Sequence, residues 1–232
     1  MTKYVVATIH KWNINLYEQY SRKLSGEWHL VTDPSDLTQS LLNSLQPRFI
    51  FFPHWSWQVP ETLTSQYECI CFHMTDVPYG RGGSPLQNLI LSGHHDTVIS
   101  ALRMVEELDA GPVYAKAPLS LHGRAQDIYE RAAVVTARLI ENIVNKEPLP
   151  KPQSGEVTVF KRRFPAESRL PEGLGPAEIY DHIRMLDADG YPRAFIESGG
   201  YRFELKDASL LNDTVRATVE LRTRHQSPEI DN

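Results

Sequence analysis

Cysteines and long apolar runs are scarce in this sequence of 232 residues. The only two cysteines, Cys69 and Cys71, would point to the same face of one strand, with Cβ atoms poorly directed for a disulfide. A reducing compartment is therefore the simpler account. No apolar run approaches the length that spans a bilayer, and the N-terminal apolar segment is too short for a signal peptide. We expect a cytoplasmic protein that does not enter a membrane.

An excess of basic charge is also missing, since the formal net charge is -5. Proteins that hold long nucleic acids by neutralising phosphates need a basic footprint, so we expect no such partner, although a local basic patch is compatible with this charge. The sequence has no Cys or His pairs at metal-ligand spacing, and we expect no metal. It also lacks a GxGxxG turn, a P-loop, a GxSxG elbow and a kinase signature, which excludes the common motif-based mechanisms.

The apolar segments alternate between strand and helix patterns. Short β-rich runs such as "KYVVATI", "RFIFF" and "ECICF" are separated by helical segments, one of them "PSDLTQSLLNSL" with Ser35 or Asp36 near its N-cap. This predicts an α/β fold with a Rossmann-like, open, mostly parallel twisted sheet and helices on both faces. Beyond Gly155 the pattern becomes β-rich with one helix. We predict a larger domain at residues 1–150 and a small C-terminal α+β appendage at residues 151–232.

Open parallel sheets bind ligands beyond the carboxyl ends of their strands. Three predicted strands end in "HKWN", "PHWSWQVP" and "HMTDVPYGRGGS". Each of these segments is rich in polar, aromatic or glycine residues, so we expect the chemistry there. His73 opens the third segment and is the first candidate for a catalytic group. The alternative is a histidine that simply bonds to neighbouring backbone.

The stretch "FHMTDVPYGRGGSPLQNLI", with "TVISALRMVEELDAGPVYAKAPLSL" shortly after it, resembles the formyltransferase family that uses 10-formyltetrahydrofolate. The family pattern runs Asn-x-His, a Leu-Pro turn, Arg-Gly-x-x-Pro and Leu-Asp-x-Gly-Pro, and the match is strong from about Arg48 to Pro118. It implies that His73 and Asp109 are catalytic. The asparagine falls on Cys71, whose thiol is a weak donor and cannot copy a carboxamide. The other matched positions are Pro78, Arg81, Gly82 and Pro85.

The resemblance implies a role for each of these groups. An unprotonated amine attacks the formyl carbon, His73 donates to the oxyanion, and Asp109 organises the site and accepts protons. The alternative for Asp109 is a turn-forming aspartate before Ala-Gly. For Cys71, whose part in catalysis is doubtful, buried packing is favoured over a nucleophile.

The resemblance also implies two sets of binding residues. The folate-binding set comprises the loop after the third strand and the segment that ends at the catalytic aspartate: His54, Trp55, Ser56, Trp57, Gln58, Val59, Glu106, Glu107 and Asp109. The acceptor-binding set is spread over three segments: Lys11, Trp12, Asn13, Met74, Thr75, Asp76, Tyr79, Gly80, Arg81, Gly82, Gly83, Ser84, Lys161, Arg162 and Arg163. The alternatives are core aromatic residues, an ordinary surface loop and a solvated basic turn.

Size and charge decide the expected acceptor. Methionyl-tRNA formyltransferases carry a larger, basic C-terminal domain, whereas the segment after Gly155 is short. We therefore expect the branch that formylates UDP- or dTDP-linked 4-amino or 3-amino deoxysugars for surface or flagellin glycans, in which homodimers are common. A methionyl-tRNA formyltransferase-like activity and a formyltetrahydrofolate deformylase are the alternatives. A non-catalytic folate or nucleotide-sugar binding module is a further one, supported by Cys71.

Overall fold

The computed structural model describes residues 1–223. The chain forms two compact units, each assembled from separated segments. The first unit comprises Met1–Pro85, Asp96–Ser120 and Tyr129–Phe160, and the second comprises Leu86–His95, Leu121–Ile128 and residues 161–223. The division at residue 150 stays a prediction. No helix in residues 1–223 is long and apolar enough to cross a membrane.

The first unit is built on a six-stranded sheet. Its strands, with a separate short pair, are β1 (Lys3–Ala7), β2 (Glu27–Val31), β3 (Phe49–Phe52), β4 (Cys69–His73), β5 (Arg81–Gly82), β6 (Asp96–Arg103), β7 (Val113–Ser120) and β8 (Val159–Phe160). The sheet order is β2-β1-β3-β4-β6-β7, and β5 pairs with β8 outside it. Strands β1 to β4 are parallel, whereas β6 and β7 are antiparallel to their neighbours. The predicted mostly parallel α/β sheet is confirmed.

Five helices alternate with these strands along the chain: α1 (Lys11–Ser21), α2 (Gln39–Leu45), α3 (Glu61–Thr64), α4 (Pro85–Leu91) and α5 (Ala125–Lys146). All of α4 after Pro85, and α5 before Tyr129, belong to the second unit. Helix α2 begins later than predicted. The hydroxyl of Thr38 accepts a hydrogen bond from the Leu41 backbone N–H and is the N-cap. Residues 34–36 form a separate 3-10 turn, so the predicted N-cap at Ser35 or Asp36 is wrong.

Both faces of the sheet are covered, which explains why its central strands are apolar throughout. Along β3, Phe49 and Phe51 pack into a cluster that includes Ile140 and Ile143 of α5. The alternate residues Ile50 and Phe52 pack into a second cluster with Leu42 of α2 and Leu63 of α3. Because successive side chains of a strand point to opposite faces, the two clusters lie on opposite sides of the sheet.

The second unit contains helix α6 (Pro176–Arg184) and the strands β9 (Ala194–Ser198), β10 (Tyr201–Leu211) and β11 (Thr214–Thr223). These strands form an antiparallel sheet in the order β11-β10-β9. The buried guanidinium of Arg184 donates to the carbonyl oxygens of Leu121 and Gly123 and so ties α6 to the segment before α5. The predicted C-terminal α+β element is confirmed.

Candidate active site

His73 is the last residue of β4 and is buried, with 8% of its surface exposed. Its Nε2 lies 2.7 Å from the carbonyl oxygen of Gly80. Because a carbonyl oxygen only accepts hydrogen bonds, Nε2 must carry the hydrogen in this contact. The hydroxyl of Thr75 donates to the same oxygen over 3.2 Å. One ring nitrogen of His73 is thus committed to the loop that follows β4.

The other ring nitrogen of His73 faces Asp109. Nδ1 lies 3.4 Å from Oδ2 of Asp109, and both side chains are about nine-tenths buried. The backbone N–H of Gly82 donates to the same Oδ2 over 3.0 Å. Asp109 has a φ of 54°, a left-handed conformation that Asp tolerates better than most residues. The structure therefore brings together the two residues that the sequence motif singles out.

Two glycines allow the close backbone approaches around this pair. Gly82 has a φ of 102°, and a Cβ there would lie 2.5 Å from the carbonyl oxygen of Phe160 in β8. A Cβ on Gly111 would lie 1.7 Å from the carbonyl oxygen of Arg103. A side chain at either position would therefore displace backbone that holds Asp109 or its partner Gly82.

Cys71 lies two residues before His73 and points to the same face of β4. It packs against the cluster that contains Phe52 and Cys69. Burial raises the pKa of the Cys71 thiol, and the negative charge of Asp109 raises it further. The side chain is therefore a neutral thiol at neutral pH, and it contributes packing next to His73 and Asp109.

Gln153 completes the site and was not among the predicted residues. Its Nε2 donates to the carbonyl oxygens of Asp109 and Gly111, over 2.7 and 2.8 Å. Its Oε1 accepts from Nε and Nη2 of Arg81, over 3.1 and 2.9 Å. In the sequence it stands inside a proline-rich link, "PLPKPQSGE", and no local pattern marks it as part of a site.

The loops that follow β1 and β3 contribute to a group of four aromatic side chains, together with a residue of α5. His10 stacks on Trp12 with ring centroids 4.5 Å apart, and it lies 4.1 Å from His54. Tyr129 of α5 lies 4.7 Å from His54. Burial lowers the pKa of His10 to about 4. Burial, and secondarily His10, lower the pKa of His54 to about 3. The four rings therefore form a neutral aromatic wall at pH 7.

Asn13 joins the same two exits. Its Nδ2 donates to the hydroxyl of Thr8 and to the carbonyl oxygen of Pro53, over 3.3 and 3.2 Å. Trp12 and His54, predicted to bind different substrates, are thus placed side by side, with ring centroids 5.7 Å apart. The buried amide of Asn13 holds the two loops together.

The other predicted binding residues differ in exposure. Those on the surface are Lys11, Ser56, Trp57, Gln58, Asp76, Glu106, Glu107, Lys161 and Arg162. Those that are buried are Val59, Met74, Thr75 and Gly80. The intermediate ones are Trp55, Tyr79, Arg81, Gly82, Gly83, Ser84 and Arg163. Lys161, Arg162 and Arg163 belong to the second unit, and the carbonyl oxygen of Lys161 accepts from Asn88. Their binding roles stay predictions.

A protein of known structure resembles this chain over nearly its whole length. A methionyl-tRNA formyltransferase from Clostridium thermocellum, known by structure, is 39% identical, with a TM-score of 0.94, and the match covers 96% of this chain and 100% of that one. The chain belongs to the formyltransferase family. The family model described as "Methionyl-tRNA formyltransferase, C-terminal domain" matches residues 165–222. The predicted family and enzyme class, a transferase of one-carbon groups, are confirmed.

Two further relatives add detail. The methionyl-tRNA formyltransferase of Paracoccus denitrificans is 32% identical over 141 residues, which are 59% of this chain and 47% of that protein. The chain spans about half the length of the curated relatives it matches. The structure of HypX from Aquifex aeolicus in complex with tetrahydrofolic acid is 20% identical, with a TM-score of 0.73 over 88% of this chain and 37% of that one. At this identity the likeness shows a shared fold.

These relatives overturn the expected acceptor. Those at 30% identity or more are methionyl-tRNA formyltransferases, so the predicted transfer to a nucleotide-linked amino sugar is wrong. The expectation of no long nucleic-acid partner is wrong for the same reason. It rested on the net charge of the whole chain, -5, which does not report the charge of one surface. It also rested on the short C-terminal segment, yet residues 165–222 match the C-terminal domain of that family.

Proposed function

We propose that the protein transfers the formyl group of 10-formyltetrahydrofolate to the amine of methionyl-tRNA. The observation that carries this proposal is the match to the Clostridium thermocellum methionyl-tRNA formyltransferase over 100% of that chain. The paired His73 and Asp109 side chains support it, because acyl transfer to an amine needs an oxyanion donor and a proton acceptor. A tRNA acceptor agrees with the cytoplasmic location expected from the sequence.

In the proposed reaction, His73 acts through one nitrogen. Nε2 is engaged by Gly80, so the ring is held in one orientation, and Nδ1 is the atom that can address the reacting carbonyl beside Asp109. Because Nε2 already carries a hydrogen, Nδ1 can donate only from the doubly protonated imidazolium form, and in that form Nδ1–H donates to the oxygen of the formyl group as that oxygen becomes negative. Such a donor is placed in advance and costs no reorganisation during the reaction.

Asp109 moves the proton. The acceptor amine forms a bond to the formyl carbon and passes a proton to the Asp109 carboxylate. That proton then goes to the folate nitrogen as its bond to the formyl carbon breaks. The N–H of Gly82 keeps the carboxylate in place throughout, because it bonds to Oδ2. The balance requires no metal and no covalent intermediate on the protein.

The loop after β3 fits the flat ring system of the formyl donor. Trp55 and Trp57 have ring centroids 5.3 Å apart, and Trp57 is 45% exposed, whereas Val59 is buried beneath the loop. Apolar ring faces of this kind suit a planar heterocycle. The neutral rings of His10, Trp12 and His54 give the neighbouring wall a surface without charge.

The test is a transfer assay with the full chain, 10-formyltetrahydrofolate and methionyl-tRNA. Formyl-methionyl-tRNA is separated on an acid gel, and release of tetrahydrofolate is followed by absorbance. Uncharged tRNA and methionyl-tRNA with an acetylated amine are the matched controls, since both keep the nucleic acid and lack the free amine. We expect release of tetrahydrofolate only with methionyl-tRNA.

Three other results would contradict this proposal. Release at the same rate without methionyl-tRNA would indicate a deformylase, in which water takes the place of the amine. Folate binding without release under any condition would indicate a binding module. Transfer to free methionine at a rate equal to that with methionyl-tRNA would show that the site does not recognise the tRNA.

A further inference from the structure

We propose that Gln153 is a positioning residue that sets the catalytic geometry of Asp109. The inference rests on the proposed formyl transfer, because it concerns the same site. Gln153 contacts two backbone carbonyls and Arg81, so its effect on the reaction must pass through the groups that it holds.

Every hydrogen-bonding group of the Gln153 carboxamide has a partner. A carboxamide has two N–H donors and one oxygen that accepts twice. The two donors bond to Asp109 and Gly111, and the oxygen accepts twice from Arg81. No shorter amide reaches the same atoms from this position, and no carboxylate can supply the two donors. The chemistry of the site thus calls for glutamine at residue 153.

The segment that carries Asp109 depends on this support. Its neighbours Val105 and Leu108 are 42% and 68% exposed, so apolar burial does little to hold the segment. Asp109 also has a left-handed φ of 54°, which other contacts must maintain. The donor from Gln153 to the Asp109 carbonyl oxygen fixes the peptide group next to that strained residue. The direction of the carboxylate toward His73 follows from the orientation of this peptide.

Gln153 also joins the two loops of the site. Arg81 immediately precedes Gly82, whose N–H bonds to the Asp109 carboxylate. The carboxamide holds Arg81 on one side and the Asp109 backbone on the other, and Nη1 of Arg81 bonds to Glu107 of the same loop. Asp109 is therefore held at its carbonyl and at its carboxylate by two contacts that both trace back to Gln153.

Two variants separate these functions. Gln153→Met keeps the length of the side chain and removes all four hydrogen bonds. Gln153→Glu keeps an acceptor for Arg81 and loses both donors to the Asp109 loop. Gln39→Met is the matched control, because Gln39 of α2 also donates twice, to Asn43 and Gln66, in the same unit.

We expect both Gln153 variants to lower kcat by about 100-fold, the loss that a misplacement of about 1 Å produces. The KM values for both substrates stay within about twofold, because an interaction that matters only in the transition state changes kcat and not binding. Gln39→Met keeps the wild-type kcat. If Gln153→Glu retained wild-type kcat, or if kcat of Gln153→Met changed less than about threefold, the positioning role would be refuted. A rise in KM with unchanged kcat would refute it as well.

A second measurement is independent of activity. The ring Cε1–H resonance of His73 in the NMR spectrum reports the nearby carboxylate, and His73→Asn identifies it. We expect this resonance to shift in both Gln153 variants and to stay in place in Gln39→Met. Wild-type protein that shows no transfer would contradict the proposed function, whereas an unshifted His73 resonance would contradict the role of Gln153 alone.

Discussion

Nε2 of His73 donates to the carbonyl oxygen of Gly80 across 2.7 Å, and this contact decides which ring nitrogen is available for chemistry. Two substitutions of His73 test the roles of its ring nitrogens one at a time. The side-chain N–H of an asparagine lies near the position of Nδ1, and that of a glutamine reaches the position of Nε2. We expect His73→Gln to lower kcat by about 100- to 1,000-fold, the usual cost of one oxyanion donor. His73→Asn should lose less. Equal losses, or the reverse order in a steady-state assay, would contradict the assignment of Nδ1.

The stability of these variants should change little. The carbonyl oxygen of Gly80 keeps a second donor, the hydroxyl of Thr75 at 3.2 Å, when the imidazole is removed. A buried acceptor that keeps one partner avoids most of the desolvation penalty. We expect both His73 variants to unfold within a few degrees of the wild type in calorimetry. A much larger drop in melting temperature would show that His73 is mainly a structural residue.

The substitution Asp109→Asn removes the negative charge of the side chain and keeps its size. The Asn oxygen can still accept from the N–H of Gly82, so the loop keeps its contact, but the group that takes up the proton is lost. We expect kcat to fall by about 100- to 10,000-fold, the range for general acid-base groups. Circular dichroism and the melting temperature should match the wild type. Activity within threefold of wild type across the pH range would remove Asp109 from the mechanism.

The two thiols should be unreactive in the folded protein. Burial raises the pKa of Cys69 to about 12, and burial together with Asp109 raises the pKa of Cys71. Because the thiolate is the reactive form, we expect no labelling by a disulfide reagent at pH 8 in the native state and two equivalents after denaturation. Fast labelling of one equivalent in the native protein would show that Cys71 is accessible and ionised.

Cys71→Asn tests the position where this chain departs from the family pattern. Asn restores a carboxamide next to His73 and Asp109. We expect kcat equal to or above the wild-type value, because the thiol contributes packing and no charge at neutral pH. Cys71→Ser is the matched control, since it changes the polarity without adding an amide. A severe loss in Cys71→Asn with normal activity in Cys71→Ser would mean that this site is shaped around a small side chain.

The aromatic wall predicts a dependence of stability on pH. The pKa values of His10 and His54 are lowered from 6.5 to about 4 and about 3. Below pH 6.5 the unfolded chain therefore binds protons that the folded chain does not, so the free energy of unfolding falls as the pH drops. Between pH 6.5 and 5 the double variant His10→Gln/His54→Gln should show a shallower slope in urea titrations. Equal slopes in the wild type and the double variant would contradict the prediction.

The order of the elements and the placement of His73 beside Asp109 were predictable from the sequence. The continuous apolar runs of β3 and β4 reflect burial on two faces, and the loop after β4 carries glycines that the backbone requires. Asp109 was found through the "LDAGP" motif, whose Gly111 is enforced by the close approach to Arg103. Burial on two faces and close backbone approaches each require particular residue types at neighbouring positions, so they can be recognised in the sequence.

Gln153 and the orientation of His73 could not be predicted in this way. Gln153 reaches Asp109 from a link 44 residues further along the chain, and a single glutamine between prolines carries no periodicity. The contact of His73 with Gly80 depends on how the loop folds back. The prediction of the N-cap of α2 was wrong for another reason. Ser35, Asp36 and Thr38 are all residues that favour the N-cap position. Because residues 34–36 form a 3-10 turn, the helix begins only after Thr38.

The pairing of β5 with β8 has a consequence for synthesis on the ribosome. Arg81 and Gly82 pair in the folded protein with Val159 and Phe160, which are translated much later. All strands of the main sheet are therefore synthesised before β8, and until β8 follows them the backbone of Arg81 and Gly82 lacks its pairing partner. A nascent chain that ends before β8 would lack this pairing next to Asp109, whose carboxylate accepts from the N–H of Gly82.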